Sequence, residues 1–425
     1  MPLKDHRSET NNWELHEPFL ERAVDANAEQ GDGDGLGAFL TLRLTDQFAV
    51  NGKAICRDAT AYQITATRKF LDDANPRTPE VTHLREIVRV ATMALKADDR
   101  RLLFPPLMAL AYWLEQELRL DEALDVLTTA LRLSDGRDGE EEVAAHLNHA
   151  RLLRLRGDFA EARAAYQLAG EIAATTGDPH SVMLSEIGLA VVLQRVGNLP
   201  ESERILRGVI ADAQRLGDSD AEARACHDLG GTLYFGSRAR EAIPFAFRAF
   251  ELHQSPVRRA RALSDTGAML KEIGCYRAAR HAFYLVLSNH PPREVRTNTV
   301  LELLELSAIV GDRVSFERWR RELTRRRQEL NSEQLVDFEL KLGTGFARLS
   351  RLAQAEQHVQ IALKLAEEFG MGERIFHCER QLRELQEHRV TTTDDAALPD
   401  SQWDSEPGVL VTIAQLDSLA ADVLG

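Results

Sequence analysis

Few side chains in this sequence stand at spacings that could support catalysis or hold a metal ion. His146 and His149 are three residues apart in a helical stretch, but no Asp, Glu or Cys at helical spacing completes the donor set of a tetrahedral site. His377 and Cys378 are adjacent, and adjacent residues of a helix point about 100° apart, which disfavours a thiol–imidazole pair. We therefore predict no metal site and no catalytic residues.

The sequence also lacks the short motifs that bind phosphate or zinc or that expose a nucleophile. No GxGxxG, GxxxxGK[ST], HExxH or GxSxG pattern occurs. The run GDGDGLG at 31–37 alternates Asp32 and Asp34, but the later ligands and terminal Glu of a calcium loop are missing, so we interpret it as a flexible, solvated joint. We predict a protein that is not an enzyme and needs no cofactor; an enzyme with an unrecognised pocket is the competing hypothesis.

Composition narrows the class of partner and the compartment. The 425 residues include 52 basic and 67 acidic side chains, a formal net charge of −15, which argues against a broad nucleic-acid-binding face. No stretch approaches the run of about 18 apolar residues that a membrane helix needs, and residues 1–12 are polar. We predict a cytoplasmic protein that binds neither nucleic acid nor membrane.

A repeat covers most of the chain. A short turn followed by a helix recurs, for example in LRGDFAEARAAYQLA and EIGCYRAARHAFYLVL, and a segment with small or apolar residues three to four apart precedes each turn. We call these the first and second helices of a hairpin. Gly157, Gly197, Gly274 and Gly311 can adopt the left-handed backbone that ends a first helix. The residues that lead the second helices are 37 to 40 positions apart: Ala123, Ala162, Ser202, Ala242, Ala279, Phe316 and Ala355.

These repeats resemble the tetratricopeptide repeat (TPR) family, in a longer-spaced bacterial form similar to the repeats of kinesin light chain. Leu229, Gly230 and Leu233 stand where that family's pattern has them, and a second unit matches at Ala260, Gly267, Leu270, Gly274, Ala279, Phe283 and Pro291. One unit departs from the pattern, because Phe316 occupies the slot of a small residue. The resemblance implies an all-α, right-handed superhelical TPR solenoid with a C-terminal capping helix.

The sequence divides into six regions. Thr78 and Pro79 are typical of a helix start in the region before the repeats. From the N-terminus, the regions are a helix and tail (1–30), a helical extension of degenerate hairpins (38–100), an array of about seven repeats (101–371), a capping helix (372–389), a disordered acidic linker (390–408) and a short amphipathic helix (409–425).

The family resemblance also implies a ligand-binding groove lined by the first helices. We expect a locally positive trough there, whose Arg side chains hold the carboxylates of an acidic protein or peptide segment. The alternative is that these Arg side chains pair with Asp228, Asp265 or a neighbouring repeat. The positions counted from the repeat starts are Asn148, Arg151, Arg154, Arg195, Arg224, His227, Tyr234, Arg261 and Lys271.

Two further segments stand out, one for its positive charge and the other for its amphipathic pattern. RVSFERWRRELTRRRQEL at 313–330 is the densest positive stretch; its interspersed Glu residues favour a salt-bridged helix face over a contact for nucleic acid or an acidic protein. The C-terminal helix presents Ile413, Leu416, Ala420 and Val423 on one face, which fits a frayed tail, a cap or a docking motif. We hypothesise that the linker, with its five acidic residues, and this helix occupy the trough of their own chain or of a neighbour's.

The sequence thus predicts a non-enzymatic scaffold that binds proteins or peptides in a concave groove. Our hypothesis for the acidic C-terminal tail adds that this tail regulates binding to the groove. The alternative is a peptide-sensing regulator of transcription or signalling. Such a regulator would normally carry or contact a helix-turn-helix, and residues 1–100 show no convincing one.

Overall fold

The computed structural model describes residues 15–25, 33–49, 56–73, 78–134, 139–387 and 406–424. These ranges contain helices and no strand, so the fold is all-α. The chain forms two compact units, Met1–Gly197 (unit 1) and Asn198–Gly425 (unit 2). None of the helices in the described ranges is long and apolar enough to span a membrane.

Unit 1 contains nine of the described α-helices. They are α1 Glu17–Asp25, α2 Gly33–Thr45, α3 Arg57–Asp73, α4 Pro79–Ala97, α5 Phe104–Gln116, α6 Leu120–Leu133, α7 Gly139–Arg156, α8 Phe159–Thr176 and α9 Pro179–Arg195. Short 3-10 turns occur at Asp46–Phe48 and Arg100–Leu103. Helix α5 packs on α6, α7 on α8, and α8 on α9, so that consecutive helices form antiparallel pairs.

Unit 2 continues the same alternation. Helix α10 packs on α11, α11 on α12, α12 on α13, α13 on α14, α15 on α16, α17 on α18 and α18 on α19. The ranges are α10 Leu199–Leu216, α11 Ser219–Phe235, α12 Ala239–Leu252, α13 Pro256–Glu272, α14 Tyr276–Ser288, α15 Arg293–Ile309, α16 Arg313–Arg325, α17 Ser332–Arg348, α18 Leu352–Glu368, α19 Gly372–Gln386 and α20 Pro407–Leu424.

The helix ends follow the local sequence signals. Thr78 caps α4 by accepting a hydrogen bond from the Val81 backbone N–H at 3.3 Å, with Pro79 in the first turn. Gly157 and Gly274 have φ values of 101° and 87°, the left-handed backbone expected after a first helix. These turns reverse the chain within two or three residues and bring the second helix back against the first.

The glycine-rich run at 31–37 is not a joint over its described part, because α2 begins at Gly33. A Cβ on Gly35 would lie 3.1 Å from the backbone nitrogen of Ala23 in α1, and one on Gly37 would lie 2.9 Å from the Leu71 side chain in α3. These glycines therefore let α2 approach its neighbours closely. The sequence composition suggested flexibility, whereas the close packing of three helices explains why glycine is needed.

A buried ionic cluster attaches α1 to the rest of unit 1. The His16 ring is 1% exposed and contacts Asp125 in α6 through Nδ1 at 2.6 Å and Asp46 through Nε2 at 3.1 Å. Burial opposes protonation of this ring, but the hydrogen bonds and charges of the two aspartates outweigh it and raise the pKa of His16. The ring is therefore favoured in its charged form when α1 is in place.

A second cluster reinforces this attachment. Glu80 in α4 is 4% exposed and accepts hydrogen bonds from Arg22 in α1 and Arg119 beside α6. Burial alone would raise the pKa of Glu80, but the two arginines outweigh it and lower that pKa. Three helices that are distant in sequence thus share one buried carboxylate.

In the repeat that contains Phe316, a large side chain on one helix packs against a glycine on the neighbouring helix. Phe316 in α16 is fully buried, and a Cβ on Gly345 in α17 would overlap its ring. Phe346 lies edge-on to it at a centroid distance of 5.4 Å. A bulky residue in a small-residue slot is therefore tolerated because the facing position is glycine.

The packing of the Phe316 ring against Gly345 predicts the effect of Gly345→Ala. The added methyl group must displace the Phe316 ring, so we expect a loss of about 1 to 3 kcal/mol in the free energy of unfolding. Gly208→Ala in α10 is the matched control, because nothing lies within 4 Å of a Cβ built there. That variant should gain up to about 1 kcal/mol through helix propensity. Urea titration followed by circular dichroism measures both; equal effects would contradict the packing argument.

The His16 cluster predicts a pH dependence of stability. Because the folded pKa is raised above 6.5, its contribution is fully present below pH 6.5 and is lost as pH rises through the folded pKa. His16→Gln should cost about 2 kcal/mol near pH 6 and less at alkaline pH. The measurement is urea unfolding at several pH values, with His83→Gln as the control. A difference from wild type that stays constant or grows with pH would refute this assignment.

Candidate functional site

The polar face of the first helices in unit 2 is a ladder of paired charges. Most pairs join residues 31 to 38 positions apart, which places each base opposite an acid of the next repeat. The predicted site residues His227, Tyr234, Arg261 and Lys271 contact Asp265 at 2.7 Å, Glu272 at 3.2 Å, Glu294 at 2.9 Å and Glu302 at 2.6 Å, while Arg224 pairs with Asp220 of its own helix at 2.8 Å.

The most enclosed part of the ladder joins three first helices. Lys271 in α13 and Lys341 in α17 both donate to Glu302 and Glu305 in α15, at 2.6 Å and 2.9 Å for the two bonds to Glu302. The four side chains are between 12% and 29% exposed. We call this group the lysine–glutamate quartet.

Partial burial and mutual attraction shift the protonation equilibria of the quartet. Burial alone would raise the pKa of Glu302 and Glu305, but Lys341 and Lys271 outweigh it and hold both pKa values below the ordinary carboxyl range. The glutamates in turn raise the pKa of Lys341 against its own burial. Glu302, Glu305 and Lys341 are therefore charged near neutral pH, and the two acids of the quartet face two bases.

Because of this pairing, the first-helix face of unit 2 has mixed sign. The prediction of a locally positive trough missed several of the acids that pair with these bases, most of which lie on the next repeat. The alternative hypothesis, that the basic side chains pair with acids of a neighbouring repeat, describes this part of the structure. The missed acids are Asp220, Glu294, Glu302 and Glu305.

The first-helix face of unit 1 differs, because only some of its arginines are paired. Arg151 in α7 donates to Glu115 in α5 through both terminal nitrogens at 2.5 Å and to Asn148 at 3.2 Å. Arg154 is half-buried, and its Nε is shielded from solvent without a hydrogen-bond partner. Neither Arg154 nor Arg195 has an acidic partner within the ranges that the structure describes.

A small cavity of about 120 Å³ opens beside Arg151. Its walls are mostly apolar and its rim is polar, which is the usual composition of a site that anchors one side chain. Tyr112 on the rim is 61% exposed although it is aromatic. The lining residues are Met108, Ala111, Tyr112, Glu115, Leu127, Asn148, Arg151 and Leu152, and we call this cavity the α5–α7 socket.

In the described ranges, the residues considered for a metal site or a reactive thiol do not form such a site. Burial lowers the pKa of both His146 and His149, which favours neutral rings packed in α7. No cluster of three or more metal-ligating side chains is found in the described ranges. Cys378 is fully buried, and burial raises its pKa to about 11, so its thiol is poorly suited to be a nucleophile.

The C-terminal helix α20 packs on second helices, across α12 and α14. Val409, Leu416 and Ala420 are buried there, and Asp417 accepts hydrogen bonds from Arg277 and His281, both at 2.8 Å. The hypothesis that this helix occupies the first-helix trough of its own chain is therefore wrong. Its apolar stripe requires an apolar partner, and the first-helix face is charged. Of the acidic linker, residues 388–405 lie outside the described residues.

The quartet predicts a specific effect of Lys341→Gln. Removing one cation leaves two partly buried carboxylates to share Lys271, so we expect a loss of about 2 to 3 kcal/mol, less than for a fully buried pair. The carboxyl pKa values are lowered below 4.5, so their stabilising effect is present above pH 4.5 and is lost as pH falls. The deficit of the variant should therefore shrink in acid.

The measurement is urea unfolding between pH 7 and pH 4. Lys364→Gln is the matched control, because Lys364 is exposed on α18 and makes no ion pair with the described residues. A Lys341→Gln deficit that is as small as that of Lys364→Gln, or that does not change with pH, would contradict the electrostatic account of the quartet.

Comparison with solved structures supports the fold. The apo form of the quorum sensor NprR from B. thuringiensis matches with a TM-score of 0.51 and 12% identity, over 82% of this chain and 92% of that chain. The apo form of RapI matches with a TM-score of 0.50 and 9% identity, over 84% and 99% of the two chains. A tetratricopeptide repeat protein from Parabacteroides merdae matches with a TM-score of 0.43 and 14% identity, over 67% and 98%.

No family model matches the sequence, and a search of curated proteins found no match. The similarity to the two structures with TM-scores of 0.51 and 0.50, at 12% and 9% identity, concerns the fold. Together with the alternation of first and second helices in each unit, it establishes that this chain has a TPR-type helical repeat fold, as the residues of the repeats predicted.

Proposed function

We propose that the first-helix face of unit 1 binds a peptide, and that peptide recognition is the protein's activity. The single observation that carries this proposal is the α5–α7 socket, an apolar cavity on the same face as two arginines without acidic partners in the described structure. NprR, which has a similar fold, is a quorum sensor and has been crystallised with its cognate peptide NprX.

The chemistry of this face defines the class of ligand. A cavity of about 120 Å³ has room for one aliphatic side chain, which would bury its apolar surface against Leu127 and Leu152. Arg154 lies one helical turn from Arg151 on α7 and has a shielded, unsatisfied donor. A carboxylate would satisfy that donor and form a charge-assisted hydrogen bond. We therefore propose a peptide with an apolar side chain close to a carboxylate.

The paired residues of unit 2 have a different role in this proposal. A ligand carboxylate at Arg261 or Lys271 would have to displace Glu294 or Glu302, so it would exchange one ion pair for another with little gain. We assign the ladder of unit 2 to holding successive repeats in register. Arg154, Arg195 and Tyr112 are the predicted ligand contacts, with Arg151 and Asn148 at the edge of the socket.

We further infer that the peptide is a signal or a regulatory segment, and that the protein acts as a non-enzymatic sensor in the cytoplasm. Cys226, Cys275 and Cys378 are buried and Cys56 is exposed, and none of these four cysteines is in a disulfide bond, which fits a reducing compartment. The face described above offers hydrogen-bond donors beside a cavity with apolar walls, which suits the binding of a peptide side chain.

The experiment is selection of a displayed random peptide library on the intact protein, followed by affinity measurement of selected peptides by isothermal calorimetry. Arg154→Ala should weaken binding about 10-fold to 100-fold, the usual effect of losing a hydrogen bond to a charged group. Tyr112→Ala should weaken binding while leaving the fold intact, because its ring is mostly exposed.

Arg163→Ala is the matched control, since Arg163 is an exposed arginine on the second helix α8. Selected peptides should compete with one another and carry an apolar residue near an acidic residue or a free C-terminus. Selection of peptides whose affinity is the same for wild type, Arg154→Ala and Tyr112→Ala would refute this site. Failure to select any peptide would refute the proposed function.

A further inference from the structure

A basic pocket in unit 2 has no role in the function proposed above. Its volume is about 520 Å³, and five of its six lining residues are arginines. It lies along the second helix α16 and beside the first helix α15, away from the quartet. The lining residues are Arg296, Arg318, Arg321, Glu322, Arg325 and Arg326, and we call this cavity the arginine pocket.

Only part of the positive charge in the arginine pocket is neutralised. Arg296 pairs with Glu322 at 2.8 Å, and Arg326 pairs with Glu329 at 3.1 Å. Arg318, Arg321 and Arg325 are exposed and have no acidic partner within the described part of the chain; Arg318 lies over the Trp319 ring at 4.5 Å.

The remaining three arginines follow one another at spacings of three and four residues, so they share one face of α16. Their charges repel one another, and this repulsion is relieved when an anion with several charges binds. A salt-bridged helix face, which the sequence favoured, thus describes only part of this helix.

The position of α16 identifies a source of that anion. Among the second helices, α16 lies between α14 and α18: the Trp319 ring is 6.3 Å from the Tyr284 ring of α14, and Glu317 pairs with Arg351 at the start of α18 at 3.4 Å. Helix α19 packs on α17 and α18, whereas α20 packs on α12 and α14. The end of α19 and the start of α20 therefore lie on opposite sides of α16 along the row of second helices.

That connection is 18 residues long, 388–405, and its sequence contains Asp394, Asp395, Asp400 and Asp404. An extended chain of this length reaches about 60 Å, several times the spacing of about 10 Å between packed helices. It is tethered at both ends to elements on either side of the arginine pocket, which gives it an effective concentration of about millimolar there.

We propose that the arginine pocket binds the acidic segment 388–405 of the same chain. Carboxylates of the segment then neutralise Arg318, Arg321 and Arg325, and the segment guides α20 to its place on α12 and α14. The acidic tail therefore binds to the second-helix side of unit 2, and the first-helix face stays open to other ligands. This inference does not depend on the proposed peptide site in unit 1.

Zero-length cross-linking of the full chain tests this proposal. A water-soluble carbodiimide joins lysine amines to carboxylates in direct contact, so the variant Arg321→Lys/Arg325→Lys converts the pocket into a reactive probe. After digestion, mass spectrometry should identify links from positions 321 or 325 to Asp394, Asp395, Asp400 or Asp404 within monomeric protein. Local links to Glu322 are expected in any case and do not count.

Two single variants calibrate the reaction. Arg277→Lys should link to Asp417, since Arg277 contacts that carboxylate at 2.8 Å. Arg204→Lys, an exposed position on α10 that pairs with Glu201 at 2.6 Å, should link to Glu201 and not to the segment. Changing the four aspartates of 388–405 to Asn should abolish the links from positions 321 and 325.

The proposal is overturned if the Arg277→Lys link forms while no link joins the pocket to 388–405. Links found only in covalent dimers would place the segment on a neighbouring copy and would also overturn it. So would retention of a short single-stranded oligonucleotide by the full chain at physiological salt, lost in Arg321→Glu, because the pocket would then be a nucleic-acid site.

Discussion

Close approach of helices at glycine is the constraint on which the structure depends. A Cβ on Gly188 would overlap the Tyr166 ring, and one on Gly267 would lie 2.7 Å from the Phe283 ring. In each case a first helix supplies the small residue, and a second helix supplies the ring. A helix pair of this size cannot bury its apolar stripe alone, so stability comes from neighbours that fit at this distance. Phe316 follows the same rule because Gly345 faces it.

This packing also fixes the polar side of the repeats. Once neighbouring first helices are held at a constant distance, residues about one repeat apart lie opposite one another, and long side chains can reach across. The pairs Arg151–Glu115, His227–Asp265 and Tyr234–Glu272 arise in this way. Each pair on its own contributes little where it is exposed to solvent. The quartet contributes more because its four charges are shielded and mutually satisfied.

The sequence predicted the helices better than it predicted the surface. The spacing of the repeats and their helix-ending glycines identified first and second helices, because apolar periodicity is local. The charge of the groove was predicted wrongly in unit 2, since Arg261 and Lys271 were considered without Glu294 and Glu302, which lie 33 and 31 residues later. The sequence predicted only Asn148 and Arg151 among the lining residues of the α5–α7 socket, because the apolar walls come from three helices and look like ordinary core residues.

The two sides of the repeats therefore differ in how their charges are satisfied. On the first-helix side, a base is usually neutralised by an acid on a neighbouring repeat, and Arg154 is an exception at which we propose that a ligand carboxylate binds. On the second-helix side, α16 carries several arginines that are only partly paired with acidic side chains in the described structure. Because the chain has a net charge of −15, it contains more than enough acidic residues to neutralise these arginines. The distribution of charge, rather than its total, thus separates a face that holds the repeats together from surfaces that are available for binding.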